Sequence, residues 1–142
     1  MANRAIMDVG LQLRDVADGA ESSFPADETG LALDLIPQHP DGAEDNSGID
    51  YRFKAVFHNI AATGSPTTVT FSVDVDSLVA FSDTPVEVGS RVWNGTETEL
   101  EIILDTNDIN VLDANAAAIR SSVAVSGGTS PTVTYGCYLT KV

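Results

Sequence analysis

Cysteine, histidine and basic residues are scarce in this sequence. The single cysteine, Cys137, excludes an intrachain disulfide, and His39 and His58 are the two histidines. Seven Lys and Arg residues stand against 21 Asp and Glu residues, so the net charge is −14. Because such a surface repels phosphate backbones and anionic lipid headgroups, we expect no nucleic-acid partner and no membrane partner.

Long apolar runs are also missing. No stretch approaches the roughly 18 consecutive apolar residues of a membrane-spanning helix. The opening residues 1–8 lack the apolar run of a signal peptide, so we expect the chain to be made in the cytoplasm and not to be secreted by that route. With 142 residues, the chain is long enough for a single domain, 1–142, that folds without a metal or a disulfide.

The patterns of common catalytic sites are absent from the sequence. There is no Gly-x-Ser-x-Gly elbow and no glycine-rich phosphate loop. Cys137 lies in an apolar row, which is typical of an inert core thiol. Glu97, Glu99 and Glu101 fall on one face of one strand, which indicates a solvated edge and not two carboxylates that flank a cleft. We therefore expect no enzyme and no cofactor.

One acidic loop leaves two interpretations open. Asp41, Asp45 and Asp50 lie with Glu44 and Asn46 in a turn-rich stretch and crowd oxygen atoms together, as calcium sites do. Their spacing matches no EF-hand loop, and a solvated acidic loop explains the same residues. We predict that no metal is required, with calcium at Asp41, Asp45 and Asp50 as the weaker alternative.

The clearest pattern in the chain is the alternation in Thr67–Ser77. Val69, Phe71, Val73 and Val75 fall on one side of an extended chain, and Ser72, Asp74 and Asp76 are among the residues on the other side. Period two with β-branched and aromatic residues predicts a strand that is buried on one face and solvated on the other. An antiparallel sheet accommodates such a strand. On this basis we expect Phe71→Ala to destabilise the fold severely and Asp74→Ala to destabilise it only mildly.

Similar alternation recurs along the chain and predicts eight or nine short strands. The one helix candidate is Asp113–Arg120, and a loop is the alternative interpretation of that segment. The clearest further segments are Met7–Leu13, Leu31–Ile36, Tyr51–Phe57, Val86–Trp93, Thr96–Leu104, Ile119–Val125 and Thr132–Thr140. We therefore predict an all-β fold, an antiparallel two-layer sandwich that is jelly-roll-like.

Two hairpins are predicted from neighbouring segments. The first places Phe53 opposite Val73, which also places Arg52 opposite Asp74. The second joins Val86–Trp93 to Thr96–Leu104 through a three-residue loop of Trp93, Asn94 and Gly95, with Gly95 in the left-handed conformation.

In this second hairpin Val88 lies opposite Leu100 and Arg91 faces Glu97. Trp93 then lies at an exposed tip.

The opening of the chain carries a resemblance. Met1-Ala-Asn-Arg, Met7-Asp8 and Leu11-Gln-Leu-Arg-Asp15, together with the length, the acidity and the all-β layout, resemble the small cement (decoration) proteins of tailed bacteriophage capsids. The resemblance implies a jelly-roll-like sandwich on the outer capsid surface of the virion. Its partner there is the major capsid protein, and it bridges capsomers and stabilises the shell against internal pressure. The family supplies no active-site residues.

A cement protein must hold its site with little contact area, so we expect self-association, as a dimer before a trimer. We predict capsid or subunit contacts at Trp93 and at Arg4, in an N-terminal arm of residues 1–5. The alternative function is a carbohydrate- or protein-binding β-sandwich module on a phage or bacterial surface. That function needs aromatic side chains on an exposed face, and Trp93 and Tyr138 are the candidates.

Overall fold

A computed structural model describes residues 12–15, 31–32, 52–78, 80–82, 84–116 and 118–142. The predicted contact at Arg4, the arm 1–5 and the candidate calcium residues Asp41, Asp45 and Asp50 lie outside these ranges. The described residues form eight strands and one short helix, which are β1 (Gln12–Arg14), β2 (Leu31–Ala32), β3 (Arg52–Thr63), β4 (Thr68–Asp76), β5 (Val86–Val92), β6 (Glu99–Asp105), α1 (Thr106–Leu112), β7 (Ala118–Ser126) and β8 (Thr132–Lys141).

The strands form two four-stranded antiparallel sheets. Sheet A has the order β1-β8-β3-β6, and sheet B has the order β2-β7-β4-β5. The first strand therefore pairs with the eighth, the second with the seventh, the third with the sixth and the fourth with the fifth. That nesting is the strand order of a jelly roll. The predicted all-β, two-layer antiparallel sandwich is confirmed.

The core lies between the two sheets. The four apolar residues of β4, Val69, Phe71, Val73 and Val75, are buried as their alternation predicts. The row on β8 that contains Val133, Tyr135, Cys137 and Leu139 is buried opposite them. At the centre, the Phe71 ring lies 5.0 Å from the Phe57 ring and 5.2 Å from the Tyr135 ring, centroid to centroid. These tilted and edge-on contacts join the two sheets.

The first predicted hairpin is wrong. β3 lies in sheet A between β8 and β6, whereas β4 lies in sheet B between β7 and β5. Their apolar rows therefore meet face to face across the core and not side by side in one sheet. Arg52 is consequently opposite Asp105, and Asp74 is opposite Arg120. Alternation fixes which face of a strand is buried, but it does not fix the neighbouring strand.

The second predicted hairpin is wrong for the same reason. β5 pairs with β4 in sheet B, and β6 pairs with β3 in sheet A, so the chain crosses between the sheets after Val92. Val88 does not pair with Leu100. Two details are confirmed: Gly95 has a left-handed φ of 89°, and Arg91 Nη2 lies 2.9 Å from Glu97 Oε1.

The backbone of β5 comes close to β6 along this side of the sandwich. A Cβ on Gly89 would lie 2.7 Å from Ile102 Cγ2 and 3.2 Å from Leu104 Cδ2. A larger residue at position 89 would therefore separate the two strands.

The predicted helix Asp113–Arg120 is also wrong. The helix is α1, which ends at Leu112, and Ala118 already begins β7. Ile109 anchors α1 because its side chain is buried, and the Asp113 N–H donates to the Ile109 carbonyl 2.8 Å away as the helix ends. Tertiary packing therefore selects a helix that local propensity alone does not indicate.

The solvated face predicted for β4 is wrong over half its length. Ser72, Asp74 and Asp76 are 3%, 5% and 1% exposed, although they lie on the outer side of sheet B. Part of the cover is Phe81, which follows β4 and is itself buried against Arg120, with the guanidinium carbon 4.4 Å from the ring centroid. The outer face of sheet B is therefore a buried polar layer around Asp74, whereas Glu87 and Ser90 on the neighbouring strand β5 are exposed.

Candidate interaction surface at the turn between β5 and β6

The turn that connects the two sheets, residues 93–98, carries the predicted site residue Trp93. We call it the Trp93 turn. It begins where the Trp93 N–H donates to the Val69 carbonyl, 2.8 Å away, and it ends where the Thr98 carbonyl accepts from the Ile60 N–H, 3.2 Å away. The turn is thus attached to β4 at one end and to β3 at the other.

Asn94 organises the interior of the turn. Its side-chain oxygen accepts hydrogen bonds from the Thr96 N–H at 2.9 Å, the Thr96 hydroxyl at 3.1 Å and the Glu97 N–H at 2.9 Å. Gly95 supplies the left-handed residue that lets the backbone curl around this oxygen. The pair Arg91–Glu97 closes the outside of the turn. These hydrogen bonds and this ion pair stabilise the observed conformation of the turn.

Trp93 is not stranded at the tip as predicted. Its side chain is half-buried against the core, and its indole N–H donates to the Glu97 carbonyl 2.7 Å away. The exposed part of the surface comes from Val92, Asn94, Gly95 and Thr96 around it. Trp93 thus supports an exposed turn from beneath, and its predicted contact with a capsid or a subunit stays a prediction.

The outer face of sheet A carries the other aromatic candidate, Tyr138, which is partly exposed. The Tyr138 ring lies 5.5 Å from the His58 ring, centroid to centroid, on neighbouring strands. Lys54 Nζ donates to Glu101 Oε1 at 2.8 Å beside them, and this hydrogen bond raises the pKa of Lys54. Burial, followed by the charge of Glu99, raises the pKa of Tyr138. This face is a mixed surface of rings and charges.

Cys137 is a core thiol, as predicted. It is fully buried in the inward row of β8, and burial raises its pKa, so the thiolate is suppressed. Glu99 and Glu101 are exposed on the edge strand β6, as predicted, and Glu97 lies in the Trp93 turn. Within the described ranges, no three Asp, Glu, His or Cys side chains are grouped as metal ligands. In that same part of the chain, no helix has the length and apolarity to cross a membrane.

Two buried cations were not identified from the sequence. Arg120 pairs with Asp74 on the outer side of sheet B. Arg14 is 2% exposed, with its guanidinium carbon 4.7 Å from the Tyr135 ring centroid and its Nε 3.2 Å from the Tyr135 carbonyl. Arg120 occupies a polar position of an alternating segment and Arg14 follows the predicted segment Met7–Leu13, so the sequence pattern indicates solvent for both. The register shift between Gln12 and Arg14 turns the latter inward.

No protein-family model, no curated protein and no solved structure matches this chain.

Proposed function

We propose that this protein is a cement protein of a tailed-bacteriophage capsid. It binds the outer surface of the shell, contacts the major capsid protein, bridges neighbouring capsomers and stabilises the shell. The jelly-roll strand order is the observation that supports this proposal most directly, because the resemblance carried by the opening residues implies that fold. The net charge of −14 suits a protein that works outside the shell and never meets the packaged DNA.

The Trp93 turn is the contact that we propose for the capsid. A turn that is already held in shape loses little conformational entropy on binding, so more of its contact energy appears as affinity. Tryptophan is enriched among residues that dominate interface energies, and Trp93 lies directly beneath the exposed atoms of the turn. Arg4 is the second proposed contact, as one of seven basic residues in an acidic chain.

Self-association completes the proposal. A capsid site offers each subunit a small area, and linking two such contacts makes the second binding event intramolecular. We propose a homodimer in which each subunit binds a different capsid subunit. The dimer then bridges capsomers, since its two contact surfaces cannot bind the same site.

Binding to purified shells of the major capsid protein tests the proposal. We expect the protein to cosediment with the shells, to saturate them and to raise the temperature at which they dissociate. Trp93→Ala should lower the affinity for the shells. Tyr138→Ala removes a partly exposed aromatic side chain from the other surface and should leave that affinity unchanged. Failure of the wild-type protein to bind shells would contradict the proposed function. Equal binding by Trp93→Ala and wild type would remove the Trp93 turn from the interface.

The second candidate function is carbohydrate binding by the sandwich. The observation that favours it is the Tyr138–His58 ring contact on the outer face of sheet A, beside Lys54 and Glu101. Sugar rings stack on such aromatic faces, and charged side chains supply hydrogen bonds around them. A glycan array distinguishes the two functions, because a sugar that binds wild type and Trp93→Ala, but not Tyr138→Ala, would favour this candidate.

A further inference from the structure

Asn94 and Gly95, in the Trp93 turn, carry the groups of a reaction that the proposed function does not use. The side-chain amide of an asparagine is electrophilic at Cγ, and the backbone nitrogen of the next residue can attack it to close a five-membered ring. Among the asparagines of the sequence, Asn94 alone is followed by glycine, which has no side chain to hinder that attack. Both residues are exposed, so water reaches them.

The attacking nitrogen is available in this turn. Within the residues that the structure describes, no hydrogen bond holds the Gly95 N–H. The N–H groups of Trp93, Thr96 and Glu97 on either side of it all donate to oxygen atoms. A Cβ at position 95 would meet no atom within 4 Å, so the space beside this residue is open. The Gly95 nitrogen therefore has no bond to give up before it reacts.

The other described asparagines differ in this respect. The N–H groups that follow Asn59 and Asn115 donate to backbone carbonyls, each over 3.2 Å. The N–H that follows Asn107 donates to the Asp105 side chain over 3.4 Å. The N–H that follows Asn110 lies in the last turn of α1, where N–H groups donate to carbonyls one turn earlier. Each of these nitrogens would have to break a hydrogen bond before it could attack.

The donors around the Asn94 side-chain oxygen favour the intermediate of the reaction. Attack on Cγ moves negative charge onto that oxygen, and an oxyanion is stabilised by N–H and O–H donors that are already aimed at it. Two N–H groups and the Thr96 hydroxyl lie 2.9–3.1 Å from the Asn94 oxygen. The Asn94 side-chain nitrogen, which is the leaving group, has no hydrogen-bond partner among the described residues.

We propose that Asn94 is a deamidation site, at which the folded protein converts to isoaspartate and opens the Trp93 turn. The Gly95 nitrogen loses its proton to solvent and forms a bond to Asn94 Cγ. The bond from Cγ to Nδ2 then breaks, and the side-chain nitrogen takes up a proton and leaves as ammonia. Water adds to either carbonyl of the resulting succinimide and breaks the bond of that carbonyl to the Gly95 nitrogen. The products are aspartate and isoaspartate at position 94, and no reactant other than water is needed.

The isoaspartate product cannot keep the observed turn. Its main chain runs through the former side chain, so one more carbon atom lies in the backbone between Trp93 and Gly95. The oxygen that accepted from Thr96 and Glu97 becomes a backbone carbonyl oxygen, and those two residues lose the acceptor that organised the turn. The aspartate product keeps a carboxylate oxygen in the same place. Asn94→Asp is therefore the matched variant that adds the charge without changing the backbone.

Mass spectrometry of the folded chain, incubated in mildly alkaline buffer, tests the site. Trypsin releases the fragment 92–120, which contains Asn94 together with Asn107, Asn110 and Asn115. Tandem spectra locate the modified residue, and labelling by an isoaspartate methyltransferase identifies the isoaspartate form. We expect Asn94 to react about tenfold faster than each of the other three, because their following N–H groups are held by hydrogen bonds.

Two variants test the chemistry of the turn. Gly95→Ala places a methyl group beside the attacking nitrogen and should slow the reaction about tenfold. Thr96→Val removes one of the three donors to the developing oxyanion and should slow the reaction about threefold or more. Thr98→Val is the control, because Thr98 is exposed in the same turn and should leave the rate unchanged. Circular dichroism checks that all three variants are folded.

The proposal fails if Asn94 stays intact in the folded chain while the chain unfolded in guanidinium chloride deamidates there, since the turn would then protect it. Equal rates at the four asparagines of the fragment would also overturn it. Ion exchange separates the isoaspartate form, which should melt several degrees below Asn94→Asp. Equal melting temperatures would contradict the opening of the turn. None of these measurements involves capsid shells, so the outcome is independent of the proposed function.

Discussion

Asp74 and Arg120 face each other across β4 and β7 on the outer side of sheet B, with Asp74 Oδ2 3.4 Å from Arg120 Nε. Their side chains are 7% and 11% exposed, and the Phe81 ring covers the guanidinium. This pair is therefore an interior ion pair in a layer outside the main apolar core. Interior pairs and surface pairs respond differently to mutation, and the chain contains both kinds.

Removing Asp74 should be strongly destabilising. Asp74→Ala leaves the Arg120 charge buried without its carboxylate, and breaking a buried pair in this way costs about 3–5 kcal/mol of unfolding free energy. Urea denaturation measures the loss. Arg91→Ala is the control, because the Arg91–Glu97 pair is shorter at 2.9 Å, but the Arg91 side chain is 47% exposed. Its loss should cost at most about 1 kcal/mol. Equal losses would mean that distance, not burial, sets the contribution of an ion pair here.

The stability contributed by Asp74 should decline as the pH rises. Burial raises the pKa of Asp74 above its ordinary value, and the charge of Arg120 offsets only part of this effect. The folded chain therefore keeps this proton to a higher pH than the unfolded chain does. The resulting stability is present below the unfolded pKa and is lost as the pH rises through the folded pKa.

Urea denaturation at a series of pH values, on wild type and Asp74→Asn, measures this linkage. The unfolding free energy of wild type minus that of the variant should be largest at acidic pH and should fall toward neutral pH. A difference that grows toward neutral pH would mean that Arg120 lowers the pKa more than burial raises it.

Phe71 should be among the most sensitive core positions. Phe71→Ala removes a ring that contacts both Phe57 and Tyr135 between the sheets, and aromatic truncations in a core cost about 3–5 kcal/mol. Val111→Ala on the exposed side of α1 should change stability by about 0.5 kcal/mol or less. Thermal and urea denaturation of both variants measure the two losses of stability. Equal losses would mean that the Phe71 ring is not closely packed.

Two glycines with left-handed backbones should differ in their tolerance of a methyl group. Gly64 has φ 75° and packs against the loop between β7 and β8, where its carbonyl accepts from the Thr129 N–H at 2.9 Å. A Cβ on Gly64 would collide with the Thr129 carbonyl and lie 2.8 Å from Pro131 Cα. Gly95 has φ 89°, and a Cβ there would meet no atom within 4 Å.

Gly95→Ala should therefore cost only the left-handed penalty of about 1–2 kcal/mol, and Gly64→Ala should cost clearly more. The difference between the urea midpoints of the two variants measures the cost of placing a methyl group between Gly64 and the loop that joins β7 to β8. Similar midpoints would show that the loops move apart without cost.

The fold class followed from the sequence because burial of one face leaves a period-two signature. Val69, Phe71, Val73 and Val75 predict their burial correctly, and so does the row that contains Tyr135 and Cys137. Strand partners were not predictable in this way. In a jelly roll, β3 and β4 are adjacent in sequence but lie in opposite sheets, and the local alternation is the same in either arrangement.

The buried polar layer could not be predicted for a related reason. The outer row of β4 is polar, and polarity is the usual signature of solvent exposure. Asp74 departs from that rule because Arg120 reaches it from β7, a segment distant in sequence, and Phe81 covers the Arg120 guanidinium. In the Trp93 turn, the Arg91–Glu97 pair and the conformation of Gly95 were predictable because they are local. The half-burial of Trp93 was not, because it depends on the path of the chain between the sheets.

The position of β8 determines when this protein can fold during synthesis. β8 is translated after the seven other described strands, yet it lies inside sheet A between β1 and β3. Until Thr132–Lys141 leaves the ribosome, β1 lacks its pairing with β8, and Phe57 and Phe71 lack the Tyr135 ring that completes their cluster. The nascent chain therefore emerges with an unfinished core and closes it only after β8 has been made. During that interval its excess of carboxylates provides mutual repulsion between neighbouring nascent chains on a polysome.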